Sequence, residues 1–283
     1  MLVPGIVAGK ASGGGYTGPL DLVPGAVVAY GQRALSAAKL GTALYTIRED
    51  GGNTTQSFNS DATTGDAPVA AITTFLNGAN GYVTTWNDQS GNAVTIAQAT
   101  ALNQPSWIAS AQNNRPAIGP AVNHASLAST SQVAINGQWT SFHVVRSPDA
   151  FLTLFDNATA ATLACSFAGS DPTQSIYFDA FVNADENGDQ TTGQSFGTAY
   201  HLVEFLVQAN SVAVNIDGVN QVMTGQFGNG VFPAMSMNVF IPGSGSSDVN
   251  RSAEHIVYAS LLSGANRLAI RQNMATYYGI TLA

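Results

Sequence analysis

The stretch Ser211-Val212-Ala213-Val214-Asn215-Ile216-Asp217-Gly218 decides the class of fold. Val212, Val214 and Ile216 alternate with smaller or polar residues, as on a strand whose side chains point by turns to two faces. Asp217-Gly218 then supplies the residue types that tolerate the positive φ of a two-residue hairpin. Upstream, His201 to Gln208 reads as a further strand, and Val219 to Thr224 returns from the turn. This is an antiparallel meander with one face turned to a core.

Working outward, the same signal recurs. Ala26 to Tyr30 is a short apolar run, Ala43 to Arg48 alternates, and Gly81 to Trp86 leads into the loop Asn87-Asp88-Gln89-Ser90-Gly91-Asn92. Trp139 to Arg146, Phe151 to Phe155, Thr162 to Phe167 and Ser175 to Val182 follow, with Ile176, Phe178, Ala180 and Val182 on one face. Met235 to Ile241 and His255 to Leu261 complete the set. Many short strands punctuated by Asn, Asp, Gly and Pro indicate a sandwich or barrel. Two helices interrupt the pattern. Asp66 is placed to cap the first, with Pro68 in its first turn and Val69, Ile72, Phe75 and Leu76 at helical spacing before Gly78. Ser263 opens the second, with Leu268, Ile270 and Met274 available for packing before Tyr277-Tyr278-Gly279-Ile280. Residues 1–23, rich in Gly and Pro around Gly13-Gly14-Gly15, show no periodicity and read as an extended N-terminal arm, either a loose linker or a segment ordered against a neighbouring subunit. The expected organisation is that arm followed by one all-β domain over 24–283, a size that single β-sandwiches reach.

Composition narrows the partners. Charged residues are 9% of the 283, against roughly 25% in ordinary domains, and the net charge is −8. Lys10 and Lys39 are the only lysines, so the basic patches that phosphate backbones require are missing and nucleic acid is not an expected partner. No apolar run approaches the ~18 residues of a membrane helix, so no membrane insertion is expected. The single cysteine, Cys165, excludes an internal disulfide and reads as a small core hydrophobe. The start, Met1-Leu2-Val3-Pro4-Gly5, lacks the basic and long apolar segments of a secretory signal, which points to folding in a reducing cytoplasm.

Three segments together resemble a known family. Arg33-Ala34-Leu35 through Gly41 to Arg48, and Val83-Thr84-Thr85-Trp86-Asn87-Asp88-Gln89-Ser90-Gly91-Asn92 followed by Gln98-Ala99-Thr100 and Asn103-Gln104-Pro105, resemble the catalytic domain of the α-L-arabinofuranosidase B family. The ending, Ile256-Val257-Tyr258 through Asn273 to Ile280, is similar to the close of laminin-G-like domains in phage and prophage proteins. The resemblance spans residues 24–280 and implies a concanavalin-A-like jelly-roll β-sandwich. It also implies where a reaction would run. Retaining glycosidases use two carboxyl groups about 5–5.5 Å apart. The family's nucleophilic Glu precedes an Ala-Ile-Tyr-Phe segment. Here the match is Gln174-Ser175-Ile176-Tyr177-Phe178, which puts an amide in its place. The family's acid/base Asp follows a Gly-Gly pair, where this chain reads Gly243-Ser244-Gly245-Ser246-Ser247 with Asp248 displaced. The resemblance therefore implies that neither catalytic carboxylate is kept, and no catalytic residue is assigned.

Other constellations carry two readings each. Trp86, Asp88, Gln89 and Asn92 are the candidate sugar contacts, an aromatic face with amide and carboxylate groups for hydroxyls. Alternatively, Trp86 belongs to the core and Asp88 closes the turn. Asp179, Asp185, Glu186 and Asp189 form the densest acidic group, either a calcium site or replacement carboxyl pair, or a solvated loop. His124, His143, His201 and His255 lack metal-type spacing, so no metal and no cofactor are expected. The low charge, the phage-like ending, and the absence of a signal and disulfides lead to an expected role as a virion surface protein. The forms considered are a head decoration, a head spike or a tail-fibre subunit, joined to other virion proteins through the arm. The expected state is a homo-oligomer, a trimer by expectation, that touches host surface glycans. A divergent glycoside hydrolase acting on arabinose- or galactose-containing glycans and a cellular carbohydrate-binding or adhesion module are the alternatives.

Overall fold

The computed structural model describes residues 15–120, 125–133, 135, 138–146, 152–156, 163–167, 176–180, 189–191, 198–208, 211–224, 235–239 and 250–283. Helix α1 (Pro19–Leu22) precedes β1 (Val28–Gly31), β2 (Ala43–Glu49) and β3 (Thr55–Asn59). Helix α2 (Val69–Leu76) leads to β4 (Gly81–Trp86), β5 (Ile96–Ala97), β6 (Ser106–Gln112), β7 (Arg115–Gly119) and β8 (Leu127–Val133). Then come β9 (Trp139–Arg146), β10 (Leu152–Asp156), β11 (Leu163–Phe167), β12 (Ile176–Ala180) and β13 (Asp189–Thr191). The chain continues through β14 (His201–Gln208), β15 (Ser211–Ile216), β16 (Val219–Asn220), β17 (Met223–Thr224), β18 (Met235–Val239) and β19 (Arg251–Tyr258), and ends on α3 (Gly264–Tyr278).

The strands form two layers. In one, β15, β14, β9, β19 and β1 lie side by side, every pair antiparallel. In the other, β3, β2, β4, β5, β8, β18, β10, β11, β12, β13 and β17 follow one another. The β6–β7 hairpin ties the layers at a corner, because β6 meets β4 at Tyr82 and β7 meets β19 at Ser252. Between the layers a core of Val28, Tyr30, Val145, Val203, Phe205 and Val257 packs on Tyr45, Ile47, Val83, Trp86, Ile96 and Leu127. Each side chain of this size contributes roughly 1.5–3 kcal/mol when fully buried. The all-β sandwich expected from the alternation is present.

The outer face of the five-stranded layer is covered by α3. Ile270, Met274 and Tyr278 pack on Phe142, Val144, Leu202, Ile256 and Tyr258. Ser263 caps the helix as expected, its Oγ accepting the Asn266 N–H at 3.3 Å, and Gly279 ends it in the left-handed conformation at φ 63°. Leu268 departs from expectation. It is 44% exposed, because two residues of helix turn it about 200° from Ile270. Asp66 does not cap α2, which has Pro68 at its N-cap and no side-chain cap bond. Its carboxylate pairs instead with Arg115 at 2.8 Å.

Of the expected arm, residues 15–23 are described, and they run against the domain. The Tyr16 hydroxyl donates to the Ala34 carbonyl, and the Leu20 N–H donates to the Leu35 carbonyl at 2.9 Å. At Gly18 the two chain segments approach so closely that a Cβ would stand 2.2 Å from the Leu35 oxygen, which only glycine permits. The Tyr258 hydroxyl donates to the Val23 carbonyl at 2.6 Å.

Candidate functional site

The four candidate sugar contacts come together, but they face the backbone of residues 26–35. β1 pairs with β19 along one edge. Its other edge would expose unpaired N–H and C=O groups, which sheets must cover. Asp88 Oδ1 accepts the Ala29 N–H at 2.9 Å, while the Gln89 N–H donates to the Ala29 carbonyl at 2.7 Å. Gln89, 2% exposed, bridges further along, with Oε1 accepting from the Leu35 N–H and Nε2 donating to the Arg33 carbonyl, each at 2.8 Å. Asn92 Nδ2 donates to the carbonyls of Ala26 and Val27. Trp86 is fully buried, Nε1 donating to the Gly31 carbonyl at 3.1 Å, with its ring against Tyr30 and His255. No face of it is open to a sugar ring. The loop is a seal on an edge strand, and Asp88 also closes its own turn by accepting from the Ser90 N–H, the Ser90 hydroxyl and the Val94 N–H.

A second polar group lies between the layers. His143 Nδ1 and His255 Nδ1 are 2.9 Å apart, and His143 Nε2 is 2.9 Å from the Ser141 hydroxyl. All three residues are fully buried. Burial pushes the His143 pKa well below the usual imidazole range, and the neighbouring His255 pushes it further; burial alone takes His255 down to about 3. Both rings are therefore neutral at neutral pH, and one must donate while the other accepts. His201 lies apart from them, its Nδ1 2.6 Å from Asp217 Oδ2 beside the hairpin turn, where Asp217 and Gly218 take φ of 50° and 93°.

The outer face carries an open polar cleft. A cleft of about 470 Å³ is lined by Arg33, Asn113, Arg115, Gln272, Thr276 and Tyr277, with Asn273 beside them. The β6–β7 turn brings Asn113 and Arg115, α3 brings Gln272 to Tyr277, and the segment after β1 brings Arg33. Arg33 is 3% exposed and binds Glu254 through Nε at 2.9 Å and Nη2 at 3.1 Å, with Nη2 also donating to Asn273 Oδ1 at 2.8 Å. The guanidinium carbons of Arg33 and Arg115 lie 4.2 and 4.3 Å from the centre of the Tyr277 ring. Burial and the carboxylate of Asp66 raise the Tyr277 pKa far above that of an ordinary phenol, so its hydroxyl stays protonated. Sequence reasoning missed this group, because its members are up to 244 positions apart.

His124, Gln174, Asp185, Glu186 and the 243–248 segment lie outside the described residues. Asp179 and Asp189 fall on β12 and β13, where Asp189 is the register partner of Phe178. Cys165 falls on β11 opposite Phe178. Among the described residues, no group of three His, Cys, Asp or Glu is arranged to hold a metal, and no helix is long and apolar enough to cross a membrane.

No protein-family model matches the chain, and a search of curated proteins finds no match. Solved structures do match. An arabinofuranosidase crystallised with arabinofuranosyl-α-1,2-xylobiose superposes with a TM-score of 0.71 at 16% identity, over 93% of this chain and 65% of that one. A GH54 α-L-arabinofuranosidase soaked with a cyclic sulfate inhibitor superposes with a TM-score of 0.69 at 16% identity, over 93% of this chain and 66% of that one. This chain thus spans just under two thirds of the length of those enzymes. At that identity the likeness shows a shared fold, the jelly-roll sandwich of the arabinofuranosidase domain. A shared sandwich does not carry a shared reaction.

Proposed function

We propose that this chain is a non-catalytic, glycan-binding surface module of a virion, a head decoration, head spike or tail-fibre subunit. What supports the reading most is a fold kept over nearly the whole chain, together with the sequence resemblance that sets Gln174 where the family has its nucleophilic Glu. An amide is a poor nucleophile and has no charge with which to steady an oxocarbenium ion. A sandwich of that shape with, on the sequence resemblance, an amide in place of the nucleophile is suited to holding a glycan without cutting it. Sugar contacts of this kind are weak singly and gain through repeated display, which fits an oligomer, a trimer in this proposal, spaced regularly on a particle. In this reading the N-terminal arm joins the module to other virion proteins and the sandwich meets host surface glycans.

The alternative, a divergent glycoside hydrolase acting on arabinose- or galactose-containing glycans, is favoured by the same structural likeness to arabinofuranosidases. Two measurements separate them. Native particles imaged at regular sites, with the purified chain leaving arabino- and galacto-oligosaccharides intact over long incubation, support the surface module. Release of monosaccharide that is lost in the Asp248→Asn variant establishes the hydrolase instead. A chain that is free, monomeric and secreted, and that binds glycans uncut, establishes a cellular adhesion module.

A further inference from the structure

We propose that the cleft between α3 and the β6–β7 turn is a binding site for an uncharged sugar residue; this inference rests on the glycan-binding reading above. The cleft's volume, about 470 Å³, falls within the range of small-molecule sites. Its walls are unusual for a chain so poor in charge. Two of its nine basic residues meet here over one aromatic ring.

Charge balance decides the class of ligand. Arg33 is matched by Glu254 and Arg115 by Asp66, so two guanidiniums face two carboxylates and the site has no formal charge to offer an anion. An acidic sugar would have to displace a carboxylate already in place. What the cleft does offer is hydrogen bonding in many directions. Arg33 uses Nε and Nη2 on its partners, which leaves Nη1 for the cleft. Arg115 bonds to Asp66 through Nη1, which leaves Nε and Nη2. Asn113 donates to the Tyr277 carbonyl at 3.1 Å through Nδ2, leaving its Oδ1 as an acceptor, and the exposed Gln272 amide supplies both roles. Donors and acceptors mixed in this way match hydroxyl groups, each of which gives one hydrogen bond and accepts others.

Rigidity supports the same conclusion. Guanidinium groups over the Tyr277 ring are held by cation–π attraction and by their carboxylates, so little side-chain freedom is lost when a ligand arrives. Because those groups cover the ring, Tyr277 serves to position the arginines rather than as a stacking platform. Its hydroxyl is buried and has no hydrogen-bond partner among the described residues.

The test is titration calorimetry on the full chain with neutral arabino- and galacto-oligosaccharides, beside oligogalacturonate and sialyllactose as acidic probes. Arg115→Ala is expected to weaken the neutral sugar about tenfold, the loss of hydrogen bonds to a charged donor. Gln272→Ala, at an exposed helix position, is expected to weaken it about threefold and to leave the urea midpoint unchanged. Added salt leaves the affinity unchanged. Neutral-sugar binding that both variants retain in full overturns the cleft while leaving a glycan-binding module intact. Preference for the acidic probes, falling with salt, overturns the uncharged ligand. A wild-type chain that binds none of the four probes takes down the cleft and the glycan-binding reading together.

Discussion

On the inner face of the five-stranded layer, Ser141, His143 and His255 sit among Trp86 and Phe205 with no charge at neutral pH. On the outer face of the same strands, Glu204 and Glu254 are each almost wholly buried and each held by arginines, Glu254 by Arg33 and Glu204 by Arg267 and Arg271. The difference follows from what covers each face. The inner face meets another sheet, and among the described residues the partners of His143 and His255 there are neutral, a hydroxyl and each other's rings. The outer face meets α3 and the segment after β1, whose long arginines reach over the sheet, Arg267 and Arg271 keeping part of their surface wet and Arg33 buried with its carboxylate. Glu254 and His255, adjacent on β19, therefore meet opposite surroundings, a guanidinium for the one and a neutral ring for the other.

The largest effect is expected where a buried charge loses the cation paired with it. Arg33→Leu leaves the fully buried Glu254 uncompensated and should cost about 3–5 kcal/mol in a urea titration. Adding Glu254→Leu to it should restore most of that loss. A single variant as stable as the parent would mean that the outer face does not depend on pairing.

The inner face should betray itself through acid. A histidine whose folded pKa is depressed binds fewer protons folded than unfolded, so stability falls as the pH drops below the unfolded value of about 6.5. For His255 the loss continues down to about 3, and for His143 the direction is the same. Thermal midpoints measured from neutral pH downward should decline through this window, and His143→Leu/His255→Leu should flatten the decline. An unchanged slope in the double variant would place the acid sensitivity elsewhere.

Smaller effects test the helix side. Glu204→Gln should cost about 1–2 kcal/mol in the same urea titration. Its partners Arg267 and Arg271 are 27% and 16% exposed and can turn to water. A loss as large as that of Arg33→Leu would show that these two arginines are bound to the sheet as firmly as Arg33. Ser263→Ala, which removes the N-cap of α3, should cost about 0.5–1 kcal/mol and leave the acid limb unaltered. A changed acid limb would show that the two faces are coupled.

What was legible in the sequence was what neighbours along the chain determine. The β14–β15–β16 meander, with its Asp217-Gly218 turn between β15 and β16, stands out because alternation and a positive-φ dipeptide act locally. β6 and β7 do not, since β6 is only partly buried and does not alternate; the clue is Asn113-Asn114, both at positive φ, a conformation asparagine tolerates better than most residues. Exposed β3 and the two-residue β5 carried even less pattern. Asp66 looked like a cap by position and was claimed by Arg115 through tertiary contact. The loop at Asp88, Gln89 and Asn92 was recognisable as a polar unit. Its destination, the open edge of β1 more than fifty residues earlier, was not. The cleft had no local trace at all, because Arg33, Arg115 and Tyr277 are gathered only by the folded sheet and helix.

The way residues 16–23 lie on the domain has a mechanical consequence. A load applied at residue 15 does not reach the sheet directly. On the way it would meet the Tyr16 bond to Ala34, the Asn273 bond to the Thr17 carbonyl, the Leu20 bond to Leu35, the Ala37 bond to Asp21 and the Tyr258 bond to Val23. Only after these does tension arrive at β1, which is clasped along its length by β19 on one side and by the Asp88–Asn92 loop on the other. Under such a load the segment would act as a hitch, its successive side-chain and backbone ties giving way before a strand slides.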